Sequence, residues 1–212
     1  MSDPSRKRPR VSNTSARSPS RRALFTVAGA LCLTVNLGCR RASELPALGD
    51  VGTFNLVDQG GRPVSAESMR GQVWAAAFFF TRCPTVCPRI TRRMRDLQQA
   101  AAKEGIKLQL VSFSVDPEHD TPEVLTAYAK QHGAETESWR FLTGDLEVVR
   151  KTSELGFKLA LDGKATAGAE HFGLFHGSHL VLVDGAGQIR GYYRTSEDSQ
   201  MAQLLRDVAA LS

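Results

Sequence analysis

Val73-Trp-Ala-Ala-Ala-Phe-Phe-Phe80 runs directly into Thr81-Arg-Cys-Pro-Thr-Val-Cys-Pro88. The first stretch is a continuous apolar run of strand length, the pattern of a strand covered on both faces at the centre of a sheet. From Ile90 to Lys103, Ile90, Met94, Leu97 and Ala101 recur at three- and four-residue steps, which predicts an amphipathic helix that Gly105 ends. The two cysteines therefore sit on the turn between a buried strand and a helix start. Unpaired N–H groups and the positive end of the helix dipole favour thiolate over thiol at such a place.

Working outward, Phe54 to Asp58 and Arg62 to Val64 flank Gln59-Gly60-Gly61 and read as a hairpin. Lys107 to Val115 alternates as a strand. Asp120-Thr-Pro-Glu123 reads as a capping box that opens a helix to about His132, with Pro122 in its first turn. Trp139 to Leu142 is a short strand, Asp145 caps a helix over Leu146 to Leu155, and Phe157 to Leu161 has the composition of a further strand. Asp162 to Gly173 is Gly/Ala-rich and reads as a flexible loop. Leu180 to Val183 and Gln188 to Tyr193 form a late hairpin around Asp184-Gly-Ala-Gly187, and Ser199 to Leu211 is a closing helix. This order predicts an α/β fold: a thioredoxin-like sandwich, its central sheet flanked by helices, with an added N-terminal hairpin.

The formal charge is +5 over 212 residues, but it is unevenly placed. Residues 1–38 hold seven of the 27 Lys+Arg and only Asp3 of the 22 acidic residues, leaving 20 basic against 21 acidic side chains elsewhere. That balance argues against a nucleic-acid-binding domain. Basic residues 1–22 followed by the uncharged run Ala23 to Gly38 have the layout of an export signal, short of the ~20 apolar residues that span a bilayer comfortably. Ser20-Arg21-Arg22 resembles a twin-arginine signal. Leu37-Gly38-Cys39 looks like a lipoprotein processing site with Cys39 as the acylated residue, although Asn36 stands where such signals usually carry Leu. Lipidation, ordinary cleavage and a retained anchor all place the folded part on the outer, periplasmic side of the cytoplasmic membrane. The expected organisation is a leader over residues 1–39, a linker over 40–50 and one domain over 51–212.

With Cys32 and Cys39 in the leader, only Cys83 and Cys87 remain in the body. A disulfide closing so small a loop constrains the unfolded chain little, so a redox or metal role outweighs a structural bridge. If the turn between them is helical, their four-residue spacing projects both sulfurs from one face. Pro84 and Pro88 stiffen the site. A third ligand has to come from elsewhere. His132 and His171 read as surface residues, whereas His176 and His179 precede or open the Leu180 strand, where thioredoxin-like oxidoreductases carry a cis-proline that this chain lacks. Two thiolates and an imidazole suit Cu(I), or Cu(II) with an added ligand, better than zinc, which takes a fourth protein ligand in a closed site.

Phe79-Phe-Thr-Arg-Cys-Pro-Thr-Val-Cys-Pro88, Ser112-Phe-Ser-Val-Asp-Pro-Glu-His-Asp-Thr-Pro122, Trp139-Arg-Phe-Leu-Thr-Gly144 and His176-Gly-Ser-His-Leu-Val-Leu-Val-Asp-Gly-Ala-Gly187 together resemble the Sco/SenC family of copper chaperones over about residues 48–211. The resemblance implies a membrane-tethered thioredoxin-like domain outside the cytoplasm. It also implies delivery of copper to the copper A site in subunit II of cytochrome c oxidase, or reduction of that site's thiols, with other copper carriers or thiol reductants as further partners. Carried over by position, Cys83 and Cys87 are the metal-binding and redox pair, and His176 is the third ligand. His179 falls where the family varies, and three positions is an odd step along a strand. Asp116 matches an acidic residue near the metal, and His119 stands where other residues are common.

Overall fold

A computed structural model describes residues 45–159 and 179–212. Among the described residues a single mixed sheet runs β1-β8-β7-β4-β5-β6-β2-β3. Its strands are β1 (Gly49–Asp50), β2 (Asn55–Asp58), β3 (Pro63–Ser65), β4 (Trp74–Phe79), β5 (Gln109–Ser114), β6 (Trp139–Thr143), β7 (His179–Val183) and β8 (Gln188–Arg194). The helices are α1 (Val86–Lys103), α2 (Pro122–Gln131), α3 (Leu146–Lys151) and α4 (Asp198–Leu211). β4, β5 and β6 are parallel, and β7 closes on β4 antiparallel. This is the expected thioredoxin-like sandwich, with the β2–β3 hairpin added to the β6 edge.

β4 is buried along its whole length, as its unbroken apolar run requires. Its alternation divides the core. Ala75, Ala77 and Phe79 face the layer that holds α1, α2 and α4, while Trp74, Ala76 and Phe78 face a second layer with Phe54, Phe113, Val149 and Phe157. In that second layer Phe78 stacks on Phe113 with ring centroids 5.0 Å apart. β5 keeps the same parity but is buried on both faces, so the alternation in its sequence does not mark a solvent face. The helix-side serines of β5 are satisfied internally. Ser112 Oγ donates to Met94 Sδ and accepts from Trp139 Nε1.

Four elements differ from the sequence expectation. First, α1 begins at Val86, so it takes in Cys87 and Pro88. Pro88 is tolerated there because N–H groups in the first turn have no intrahelical acceptor. Second, the α2 cap is Thr121, whose Oγ1 accepts from Val124 N at 3.4 Å, and Asp120 is not part of the helix start. Third, Asp145 does cap α3 through Val148 N, but the α-helix ends at Lys151 and continues as a π turn over Thr152–Gly156. Fourth, Phe157 to Leu159 is not a strand. Its backbone groups are met locally: Phe157 N by Thr152 O, Leu159 N by Ser153 O, and Phe157 O by the Tyr192 hydroxyl, which leaves no ladder to form. Residues 160 and 161, and the loop expected over 162–173, lie outside the described residues.

The end of the segment read as a linker also carries structure. Gly49 and Asp50 pair with Ile189 and Gln188, and Leu45 O accepts from Arg190 Nη1. Among the described residues no helix is long and apolar enough to cross a membrane. The leader, including Cys39, lies outside them.

Candidate copper-handling dithiol site

Cys83 and Cys87 come together where β4 gives way to α1. Cys83 N donates to Phe80 O, which folds the chain back after the strand, and Cys87 N donates to Cys83 Sγ at 3.4 Å. Both thiols are free and buried. Their environments differ. Burial pushes the Cys83 thiol up, but the amides of Cys87, Thr85 and Val86 at the start of α1 outweigh it and hold the thiol below its ordinary range. Cys87 is deeper. Burial foremost, with the negative charge of Cys83 and Asp120 adding to it, pushes Cys87 up to about 12. At neutral pH the pair is one activated sulfur beside one protonated thiol.

Asp120 holds the loop that carries Cys83. Its carboxylate is fully buried and accepts from Thr81 N at 3.1 Å, from the Thr81 hydroxyl and from the Ser114 hydroxyl. These bonds tie the end of β5 to the chain just before the cysteines. The sequence reading missed this role because Asp120 fits a capping box. The signal lay one residue on: Pro122 takes the first helical position, which makes Thr121 the cap and leaves Asp120 free to turn inward.

Asp116, expected beside the metal, is engaged by its own partner. Its Oδ2 accepts from Arg82 Nε at 3.0 Å and Nη2 at 2.6 Å, so a guanidinium next to Cys83 neutralises it. His119 lies on the same turn with Nδ1 3.0 Å from Asp120 Oδ1. His132 packs against Tyr128 at a centroid distance of 4.2 Å. Tyr128 itself lies in the same buried layer as both cysteines and shares a 2.8 Å hydrogen bond with Thr91, one helical turn beyond Cys87.

His179 opens β7 opposite Arg194. Leu180 and Leu182 pack in the layer that contains the cysteines, whereas Val181 and Val183 pack in the other. Strand parity therefore puts His179 on the face turned away from Cys83 and Cys87. Its imidazole is held below the ordinary range by burial and by Arg194. His176 lies outside the described residues.

A thiolate-favouring cysteine just ahead of a helix start, with a second thiol buried on that helix's first turn in a thioredoxin-like fold, defines a dithiol redox or soft-metal domain. The comparisons narrow that class. A family model described as SCO1/SenC matches residues 44–211, and the chain belongs to that family. A SCO1/SenC family lipoprotein from Bacillus anthracis str. Ames is 35% identical with a TM-score of 0.69, covering 77% of this chain and 95% of that one. BsSco, a member of the Sco family of cytochrome c oxidase assembly proteins in which a disulfide switch was identified, is 34% identical with a TM-score of 0.68, covering 78% and 96%. The structure of Bradyrhizobium japonicum ScoI with copper bound is 26% identical with a TM-score of 0.56, covering 73% and 97%.

Proposed function

We propose that this chain is a membrane-tethered copper chaperone that takes copper as cargo on Cys83, Cys87 and His176 and passes it to the copper A site in subunit II of cytochrome c oxidase. The observation that carries this reading is the unequal thiol pair at the start of α1. Of the two sulfurs, the one already inclined to ionise, Cys83, takes the soft cation first, and the ion is then gripped by displacing the proton of Cys87. Release reverses the order, since reprotonation of Cys87 frees one ligand while the cargo still rests on Cys83. Two features of the relatives support the assignment: the copper bound to the Bradyrhizobium japonicum protein and the description of the Sco family as oxidase assembly proteins. The lipoprotein nature of the Bacillus anthracis relative supports a tether through the leader, with Cys39 as the lipidated residue and the domain on the outer face of the cytoplasmic membrane.

The same asymmetry favours a second reading, a thiol-disulfide reductase acting on the copper-ligand cysteines of subunit II and recharged by an external thiol reductant. Cys83 would attack a partner disulfide as thiolate, and Cys87 would then resolve the mixed disulfide. His176→Ala separates the two. A chaperone loses copper retention in that variant, whereas a reductase keeps its electron transfer. Undiminished copper binding by His176→Ala contradicts the ligand assignment.

A further inference from the structure

We infer that His119 is a transit ligand for copper, a single exposed imidazole bonded to Thr81, two residues before Cys83, that captures the ion on its way to that sulfur. The inference rests on the proposed copper cargo and extends it to a residue outside the Cys83, Cys87 and His176 set.

The argument starts from hydrogen counting. His119 Nδ1 lies 3.0 Å from Asp120 Oδ1 and 3.3 Å from Thr81 Oγ1. Thr81 Oγ1 already donates its hydrogen to Asp120 Oδ1, and a carboxylate has none to give, so the hydrogen between His119 and this pair belongs to Nδ1. The neutral imidazole is therefore fixed in the tautomer whose lone pair is on Nε2. That nitrogen has no partner among the described residues, and the side chain is 41% exposed. An imidazole whose inner N–H is held by a buried carboxylate while its outer nitrogen stays open is the arrangement that orients metal-binding histidines and raises their basicity.

Its neighbours decide what kind of site this is. The ligand atoms of Asp116, His119 and Asp120 lie within 4.8 Å of one another, yet they do not make a closed cage. Asp116 Oδ2 is held by Arg82, and Asp120 accepts from the Thr81 and Ser114 hydroxyls and the Thr81 amide. One imidazole beside a guanidinium holds a cation weakly, as a transit position must. Place matters equally. His119 and Asp120 grip Thr81, two residues before Cys83, so the capture ligand and the receiving sulfur are carried by one hydrogen-bonded unit.

His119→Asn tests this, because the amide keeps a donor toward Asp120 while removing the imidazole. Purified reduced protein is loaded with Cu(I) from a weak soluble ligand and unloaded to excess chelator, with both rates followed in wild type and variant. A transit ligand absent from the loaded site predicts that both rates fall by about tenfold while affinity and the final spectrum stay the same. Unchanged rates overturn the inference. A loss of affinity with an altered spectrum also overturns it, because His119 would then be a resident ligand. Failure of the wild type to load copper removes the proposed function on which the inference rests, and that result is distinct from the other two.

Discussion

The amide of Cys87 donates to the sulfur of Cys83 over 3.4 Å, so the more deeply buried cysteine helps to ionise the other while its own thiol stays protonated. The two positions are thus unequal by construction. Whatever the pair binds or attacks, Cys83 acts first. In Cys87→Ser the remaining thiol should titrate below the ordinary cysteine range and alkylate readily at neutral pH. In Cys83→Ser the remaining thiol should stay unreactive until strongly alkaline pH. Ultraviolet thiolate absorbance against pH reads both directly, and equal titration of the two variants would remove the asymmetry.

Copper affinity should rise with pH through the neutral range. The sign follows from Cys87. Its thiol holds a proton up to about 12, and a bound cation must displace it. Between the lowered pKa of Cys83 and that value, one proton leaves for each copper bound, so affinity climbs by about tenfold per pH unit. Competition titrations at several pH values give the slope. A flat profile would mean that Cys87 does not bind as thiolate.

Asp120→Asn should pull the Cys87 pKa down, because it removes a negative charge that helps hold it up. Asp120→Ala goes further and strips the acceptor from the Thr81 amide and the Thr81 and Ser114 hydroxyls. Leaving such buried donors unmet costs about 1–3 kcal/mol each when water cannot reach them, so a loss of at least about 2 kcal/mol is expected from denaturant unfolding. A neutral effect of Asp120→Ala would show that the loop is held by other means.

Gly156→Ala should destabilise the fold far from the thiols. A Cβ at Gly156 would stand 2.2 Å from Val51 O, a backbone atom that cannot rotate aside. The expected cost is about 3 kcal/mol, with the thiol titrations unchanged. A wild-type unfolding midpoint in Gly156→Ala would mean that the Val51 segment is free to move off the π turn.

The parts of the fold legible in the sequence are those fixed by local pattern. β4 declares itself by an unbroken apolar run, α1 by its Ile90, Met94, Leu97 and Ala101 stripe, and the β2–β3 hairpin by Gln59-Gly60-Gly61. The failures come where a distant partner decides. Phe157 looks like strand sequence, but its carbonyl belongs to Tyr192 from β8 and its amide to the π turn. Asp120 looks like a cap, but Ser114 and Thr81 claim its carboxylate. The Arg82–Asp116 ion pair is likewise invisible to local pattern, since its members stand 34 residues apart, and the expected place of Asp116 near the metal is untouched by it. The strand parity of His179 is legible for the opposite reason. It needs only the alternation of Leu180 and Val181 between the two layers.

The most direct test of the central claim is copper stoichiometry on the reduced protein, with absorption spectra after addition of Cu(II), beside Cys83→Ala/Cys87→Ala and His176→Ala. The account predicts about one copper per chain with a thiolate-to-copper charge-transfer band, absent from the cysteine variant and altered in the histidine one. No stable copper, together with a readily reversible Cys83–Cys87 disulfide, would contradict it and make this chain a thiol reductase on the same fold.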